Sequence, residues 1–236
     1  IETSVNAFLI NTGTKLVLVD TGAAKLFGPT LGRFMEDLKA AGYRPDQIDE
    51  IYITHMHGDH IGGLMAGDQL AFPNAILRAD RAESDYWLSD AKMNAAPKDD
   101  QQGFLAAMAM VRPYIAAGKF KPFDGDTELV PGIHAVPSHG HTPGHTTYVV
   151  QSQGQKLALW GDLMHVASVQ FDTPTVTIGF DSDSKAAVAE RQKAFADAAK
   201  GGYWVAAAHL PFPGIGHLRA NGTGYVFVPV NYSTLF

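Results

Sequence analysis

Thr54-His55-Met56-His57-Gly58-Asp59-His60 lies at the end of an apolar run, Ile48 to Thr54 (IDEIYIT), that reads as a buried strand. Three histidines and one aspartate fall within six residues. Where a strand ends the chain can turn, so that His55 and His57 point one way and Asp59 and His60 serve a neighbouring point. One short segment can then supply donors to two cations. In a chain with 10 histidines this pattern is expected by chance about 0.001 times, so coincidence is a weak rival. A solvated His-rich loop is the plainer reading, but Ile51, Ile53, Ile61 and Leu64 flank the motif with apolar side chains. A structural zinc site needs only four ligands, and this chain offers more.

Further donors follow at intervals. Ser138-His139-Gly140-His141-Thr142-Pro143-Gly144-His145 again sits between two predicted strands. Leu159-Trp160-Gly161-Asp162 places a carboxylate after an apolar strand, and Ala206-Ala207-Ala208-His209 does the same with an imidazole. Taken alone, Asp162 reads as a turn or cap residue and His209 as a satisfied core histidine. The position of Asp162 still matters, because a carboxylate can bridge two cations with its two oxygens. The chain has no cysteine, so any metal is held by imidazole and carboxylate, a donor set that suits zinc, manganese, cobalt or iron.

Composition narrows the partners. The 236 residues carry 18 Lys and Arg against 24 Asp and Glu, a net charge of -6. That balance disfavours nucleic acid, and no apolar stretch reaches the ~18 residues of a membrane span. A small substrate is the expectation. The hydrophobic share of 46% fits a globular chain, expected as one domain over residues 1–236.

Coarse patterning alternates strand pairs with helices. Hairpins are predicted at Phe8-Leu9-Ile10 with Leu16 to Val19, at Thr146 to Gln151 with Lys156 to Trp160, and around Asn221-Gly222. A strand is expected from Ile1, short strands at Glu128 to Val130 and Ile133 to Val136, and another at Tyr203 to Ala207. Helices are predicted over Thr30 to Ala41, Ala79 to Leu88, Phe104 to Ala117 with a break or kink at Pro113, and Ser184 to Lys200. Ser89 to Gln102 reads as a loop, and Ile178 and Phe180 as alternate positions on a strand. The whole fits a layered α/β protein with mixed sheets.

The order of THMHGDH, then HTPGH, then Gly161-Asp162, then a late strand-end His209 resembles the metallo-β-lactamase superfamily, as does the early Asp20-Thr21-Gly22 turn. The resemblance implies an αβ/βα four-layer sandwich and a two-metal hydrolase. It assigns one metal to His55, His57 and His141, the other to Asp59, His60 and His209, and makes Asp162 the bridge. In HTPGH the first histidine is the ligand, which selects His141 over His145. Asp20 and His145 then support the ligands through hydrogen bonds, and His139 is structural. The implied cofactors are two divalent ions, zinc first, and the implied nucleophile is a hydroxide shared between them, with Asp59 and Asp162 as the catalytic carboxylates.

Among branches of the superfamily, diiron oxygen-reducing members carry Glu where this chain has His57. Nucleases carry added nucleic-acid-binding regions, glyoxalase II has a helical C-terminal region, and the Cys-ligand β-lactamases need a cysteine. Lys15 to Ala24, Ser138 to Val150, Phe212 to His217 and Phe227 to Ser233 are similar to methyl parathion hydrolases and their lactonase and aryl-esterase relatives, the dihydrocoumarin hydrolase-like group. That resemblance implies a pocket lined by Phe27, Trp87 and Phe104, with His165, Ile178 and Phe180 narrowing it toward flat lactones or aryl esters. Organophosphate triester hydrolysis is the alternative activity, and a metal-binding or sensing protein without turnover the alternative of another class. It further implies a homodimer, a periplasmic or secreted location with a cytoplasmic one left open, and a numbering that begins inside a longer protein.

Overall fold

The computed structural model describes residues 3–28 and 30–231, so the expected strand at Ile1 lies outside the described residues. The chain divides into two compact units, residues 7–124 and residues 125–236 with 1–6.

The first unit is built on a four-stranded sheet. β1 (Phe8–Asn11) and β2 (Leu16–Val19) form the expected hairpin. β2 runs parallel to β3 (Glu50–Tyr52). Helix α1 (Phe34–Ala40) connects them, starting four residues later than Thr30. Past β3 the chain enters the single turn α2 (Gly58–Ile61) and a small ribbon of β4 (Met65–Ala66) and β5 (Gln69–Leu70). It then returns as β6 (Ile76–Arg78), parallel to β3. The sequence reading assigned neither ribbon nor β6, both too short to show a period. Because β2, β3 and β6 are parallel, their C-terminal ends share one edge, and Asp20, His55 and Asp80 all follow it. Leu18, Ile51, Ile53 and Leu77 are wholly or almost wholly buried, each contributing roughly 1.5–3 kcal/mol of burial.

Three helices complete this unit. α3 (Arg81–Trp87) starts at Asp80, whose side chain accepts from the Ala82 amide. Ser89 to Gln102, expected as a loop, contains a helix instead, α4 (Asp90–Ala95). The Ser89 hydroxyl accepts from the Lys92 amide, the run Ala91-Lys92-Met93 favours helix, and Pro97 acts only after the helix has ended. α5 (Gln101–Ala116) continues through Pro113 rather than breaking there.

The second unit holds a seven-stranded sheet of order β13-β12-β11-β10-β9-β8-β7. Its strands are β7 (Thr127–Val130), β8 (Ile133–Pro137), β9 (Thr146–Ser152), β10 (Gln155–Leu159), β11 (Trp204–Ala206), β12 (Ile215–Asn221) and β13 (Gly224–Pro229). Only β10 and β11 pair in parallel. The crossover between them carries the turn α6 (Ala167–Gln170) and the long α7 (Ser184–Gly201). Asp183 caps α7 by accepting from the Lys185 and Ala186 amides, and Gly202 ends it in the left-handed region at φ 62°. Tyr148, Leu159 and Ala206 lie in register. Asp162, His209 and the loop before β9 therefore sit at one edge.

Ile178 and Phe180 are not on a strand. Asp181 takes their segment into a turn, its amide donating to Ile178 O at 3.2 Å. The carbonyls of Pro174 and Val176, which a strand would need for its ladder, are taken by Arg191. The β-branched residues from Thr173 to Ile178 give the sequence its strand character without that consequence.

Candidate metal centre

In the first unit Asp20 organises the histidine motif. It leaves β2 with φ 59°. Its carboxylate accepts from the Thr54 amide at 2.8 Å and from the Thr54 hydroxyl at 2.8 Å. The same carboxylate lies 2.8 Å from His60 Nδ1. That bond puts the proton on Nδ1 and leaves Nε2 as the donor atom. The His60 carbonyl accepts from the Thr21 amide and hydroxyl. Gly63 packs so closely on the Thr21 carbonyl that a Cβ there has no room. The Asp20-Thr21-Gly22 turn is thus a clamp on α2. Glu83 of α3, fully buried, accepts from the Met56 amide at 2.7 Å. The rings of His55 and His57 lie 4.6 Å apart and those of His55 and His60 4.0 Å. His55 and His60 are buried, whereas the Asp59 side chain is 22% exposed.

Aromatic residues adjoin this cluster. Trp87 meets the His57 ring edge-on at 5.4 Å, and Phe104 packs on Trp87 at 4.8 Å. Both are core residues, 8% and 2% exposed. The Trp87 indole N–H is buried with no hydrogen-bond partner among the described residues. Phe27 is 60% exposed and reaches over Gly58, whose Cβ would meet its ring at 3.3 Å.

In the second unit the organiser is Asp162. Its Oδ2 lies 3.4 Å from His141 Nε2, 3.1 Å from His209 Nε2 and 3.1 Å from His165 Nε2. All four residues are buried. His141 Nδ1 bonds Asp181 Oδ1 at 2.9 Å, and His209 Nδ1 donates to the Ser4 carbonyl at 2.9 Å. Each ring is therefore fixed in the tautomer that presents Nε2 toward Asp162. His145 differs. Its Nε2 accepts from the Asp162 amide at 3.0 Å, and its Nδ1 donates to the Ser138 carbonyl at 3.0 Å with the Ser138 hydroxyl at 2.9 Å. With both nitrogens engaged, His145 supports Asp162. His139 is exposed.

His165 stacks on His209 at 5.2 Å, lies 4.8 Å from His141, and has Phe180 at 6.5 Å. Burial holds its imidazole below the ordinary value, against the pull of the Asp162 carboxylate, so it is neutral at pH 7. Phe180 is 68% exposed and Ile178 half-buried. Burial would raise the Asp181 carboxyl, but the hydrogen bond and charge of His141 outweigh it and hold the group below its ordinary value. Sequence reasoning missed Glu83, Asp181 and Ser138. Glu83 is one polar helix residue among several, and neither it nor Asp181 lies in a metal-binding motif.

Buried imidazoles with fixed tautomers, turned toward carboxylates, are a donor set built for a divalent cation. Such a site on a mixed α/β fold defines a metal-dependent hydrolase, and the chain belongs to the metallo-β-lactamase superfamily, whose family model matches residues 1–209. Among its relatives is an N-acyl homoserine lactonase of Bacillus cereus, 27% identical over 195 residues that cover 75% of this chain and 70% of the relative. Of solved structures, AbOPH, described as a hydrolase in the β-lactamase superfamily, superposes with a TM-score of 0.93 at 39% identity, covering 99% of this chain and 81% of that one. AidC, described as a dizinc quorum-quenching lactonase and solved with a product, gives 0.89 at 29% identity over the same shares. The fold is that of the metallo-β-lactamase hydrolases.

Proposed function

We propose that this chain is a two-zinc lactonase that opens lactone rings, including those of N-acyl homoserine lactones, and cleaves aryl esters by the same chemistry. In this reading His55, His57 and His141 hold one ion, Asp59, His60 and His209 the other, and Asp162 is shared. Residues 7–124 offer His55, His57, Asp59 and His60 as possible cation donors, and the second unit offers His141, Asp162 and His209. The observation that carries the reading is the set of imidazoles turned on one oxygen of Asp162, two of them locked through Nδ1. The likeness to AidC and to the Bacillus lactonases supports the substrate class.

When bound, the ions polarise the carbonyl and bring the pKa of water toward neutrality. The chain does the rest. Asp20, Asp181 and Ser4 hold the imidazoles through Nδ1 and keep them aimed. Asp59, a carboxylate with solvent access, takes a proton from the attacking water and returns it to the ring oxygen. The acyl carbon gains the hydroxyl, the ring C–O bond breaks, and a hydroxy acid leaves. Trp87, backed by the buried Phe104, offers an apolar edge for an acyl chain or an aromatic ring, and its N–H a donor for a substrate oxygen.

The test is a kcat/KM panel on zinc-loaded protein with N-acyl homoserine lactones of several chain lengths, simple lactones, dihydrocoumarin, phenyl acetate and a dimethyl aryl phosphotriester. Lactones are expected to exceed the phosphotriester by about 100-fold or more, a barrier difference of about 2.7 kcal/mol. A phosphotriester faster than every lactone overturns the substrate class. Full activity after complete chelation overturns the metal mechanism.

A further inference from the structure

We propose that Arg191 is a positioning residue for the metal centre, acting on His141 through Asp181 and on Asp162 through the backbone of Leu163. The inference rests on reading these donors as metal ligands. Arg191 lies on α7 and is wholly buried. Its Nε donates to the Leu163 carbonyl at 2.6 Å, directly after Asp162. Its Nη1 donates to the carbonyls of Pro174 and Val176, at 3.0 and 2.8 Å. Its Nη2 makes no hydrogen bond among the described residues and lies 3.9 Å from Asp181 Oδ2. The other oxygen of Asp181 is the one bonded to His141 Nδ1.

A buried guanidinium is a costly way to fill space, and an apolar side chain of similar volume packs a helix at least as well. What an apolar side chain cannot do is hold three carbonyls of an irregular segment in fixed directions. The segment from Leu163 to Asp181 contains only the single turn α6. Gln170 adds to the clamp, accepting from the His165 and Val166 amides and donating to the Val176 carbonyl. At the other end, the amides of Ser182 and Asp183 donate to the carbonyls of His141 and Gly140. Gly140, at φ 136°, lies so close to Ala187 that any Cβ would collide with the first turn of α7. One helix thereby borders the segments that carry two of the three donors in this unit, and its Arg191 bonds the residue after Asp162 and lies beside the carboxylate that holds His141.

The experiment uses the full chain, with zinc affinity from chelator competition and Tm measured both metal-free and zinc-loaded. Arg191→Met is expected to weaken zinc binding by about 10- to 100-fold, the range for groups that orient ligands. It should shrink the zinc-induced rise in Tm and lower kcat more than it raises KM. Arg191→Lys should recover part of the affinity, keeping a cation without the fork. Asp181→Asn should weaken zinc to a similar degree. Combining it with Arg191→Met should add less than the sum of the two, because they lie on one path. If Arg191→Met lowers Tm equally with and without zinc while affinity stays at the wild-type value, Arg191 is structural and the inference is overturned. Should that variant fail to fold, unchanged affinity in Asp181→Asn and Arg191→Lys overturns it equally. A wild-type chain that takes up no zinc removes the metal reading and this inference together. Normal zinc in the wild type with unchanged affinity in the variants removes this inference alone.

Discussion

The two units build their donors by opposite routes. In residues 7–124 all four come from one segment, His55 to His60, and strand order matters only for the end at which the segment emerges. In the second unit, His141, Asp162 and His209 come from three separate strand ends and meet only because β9, β10 and β11 are neighbours in register. A local motif tolerates an error elsewhere in its sheet. A dispersed one turns every register error into a misplaced donor, and its supporting groups come from separate elements: Asp181 and Ser4 on the imidazoles, His145 on the Asp162 amide, Arg191 on the segment beyond.

The comparison is broken most directly at Asp162. His141, His165 and His209 all turn on its Oδ2, so Asp162→Ala removes the focus of the dispersed set. Loss of a group that anchors a catalytic metal takes several kcal/mol from the transition state, on the order of 10³-fold in kcat/KM. Metal analysis should show less than one equivalent of zinc where the wild type holds close to two. His57→Ala, one donor of a contiguous set, should lower both measures less. Equal losses would mean that the two routes do not differ in robustness.

The pair His141 and His145 sharpens the contrast inside one motif. His141→Ala should lose zinc and activity together. His145→Ala removes the acceptor of the Asp162 amide and should cost about 10- to 100-fold in activity or affinity while most of the metal remains. Asp20→Asn in the other unit belongs in the same range, because Asp20 fixes His60 and Thr54 together. If His145→Ala strips the metal as fully as His141→Ala, the assignment within HTPGH is reversed.

Much of this was legible in the residues. The hairpins at Phe8 to Val19 and Thr146 to Leu159 carry both alternation and turn residues, and the ligand motifs are dense in chemistry. What escaped was of two kinds. β6 has three residues, and its identity as a strand comes from pairing with β3 rather than from its own pattern. Asp181, Glu83 and Arg191 act through side-chain directions set by distant elements, and no spacing in sequence encodes that. Ile178 and Phe180 failed for a related reason: β-branched content suggests a strand, but buried Arg191 claims the carbonyls. Phe180, 68% exposed, is thus a weaker candidate for shaping a pocket than Trp87.

Trp87 tests whether the aromatic wall is core or pocket. Trp87→Phe keeps a ring against Phe104 and His57 but removes the indole N–H. An increase of about 3- to 10-fold in KM for lactones, corresponding to about 0.6–1.4 kcal/mol of a lost hydrogen bond, is expected with little change in KM for phenyl acetate. A loss of stability of about 1–3 kcal/mol from the smaller ring, with unchanged kinetics, would make Trp87 part of the core alone.

The smallest effect separates the charges that shape the first unit's sheet from those that hold metal. Glu50 is 3% exposed on β3 and takes bonds from Lys15, from Arg78 Nε at 2.7 Å and from the Tyr52 hydroxyl at 3.0 Å. Burial alone would raise its carboxyl, but Lys15 and Arg78 outweigh burial and hold the group below its ordinary value of 4.5. A carboxyl depressed by folding stabilises the native state fully above the unfolded value, and loses that contribution as pH falls through the lower, folded value. Glu50→Gln should therefore lower stability by about 1–3 kcal/mol at pH 7, and the gap to wild type should narrow as the pH is taken below 4.5. Zinc content and kcat/KM at pH 7 should stay within about twofold, under 0.5 kcal/mol, because none of the described bonds of Glu50 reaches His55, His57, Asp59 or His60. A gap that stays constant as the pH is taken from 7 well below 4.5 would mean that packing, not charge, is what Glu50 supplies. A parallel loss of zinc would show that the strand carrying the histidine motif depends on this ion network for its register, and the contiguous site would then be as dependent on its sheet as the dispersed one.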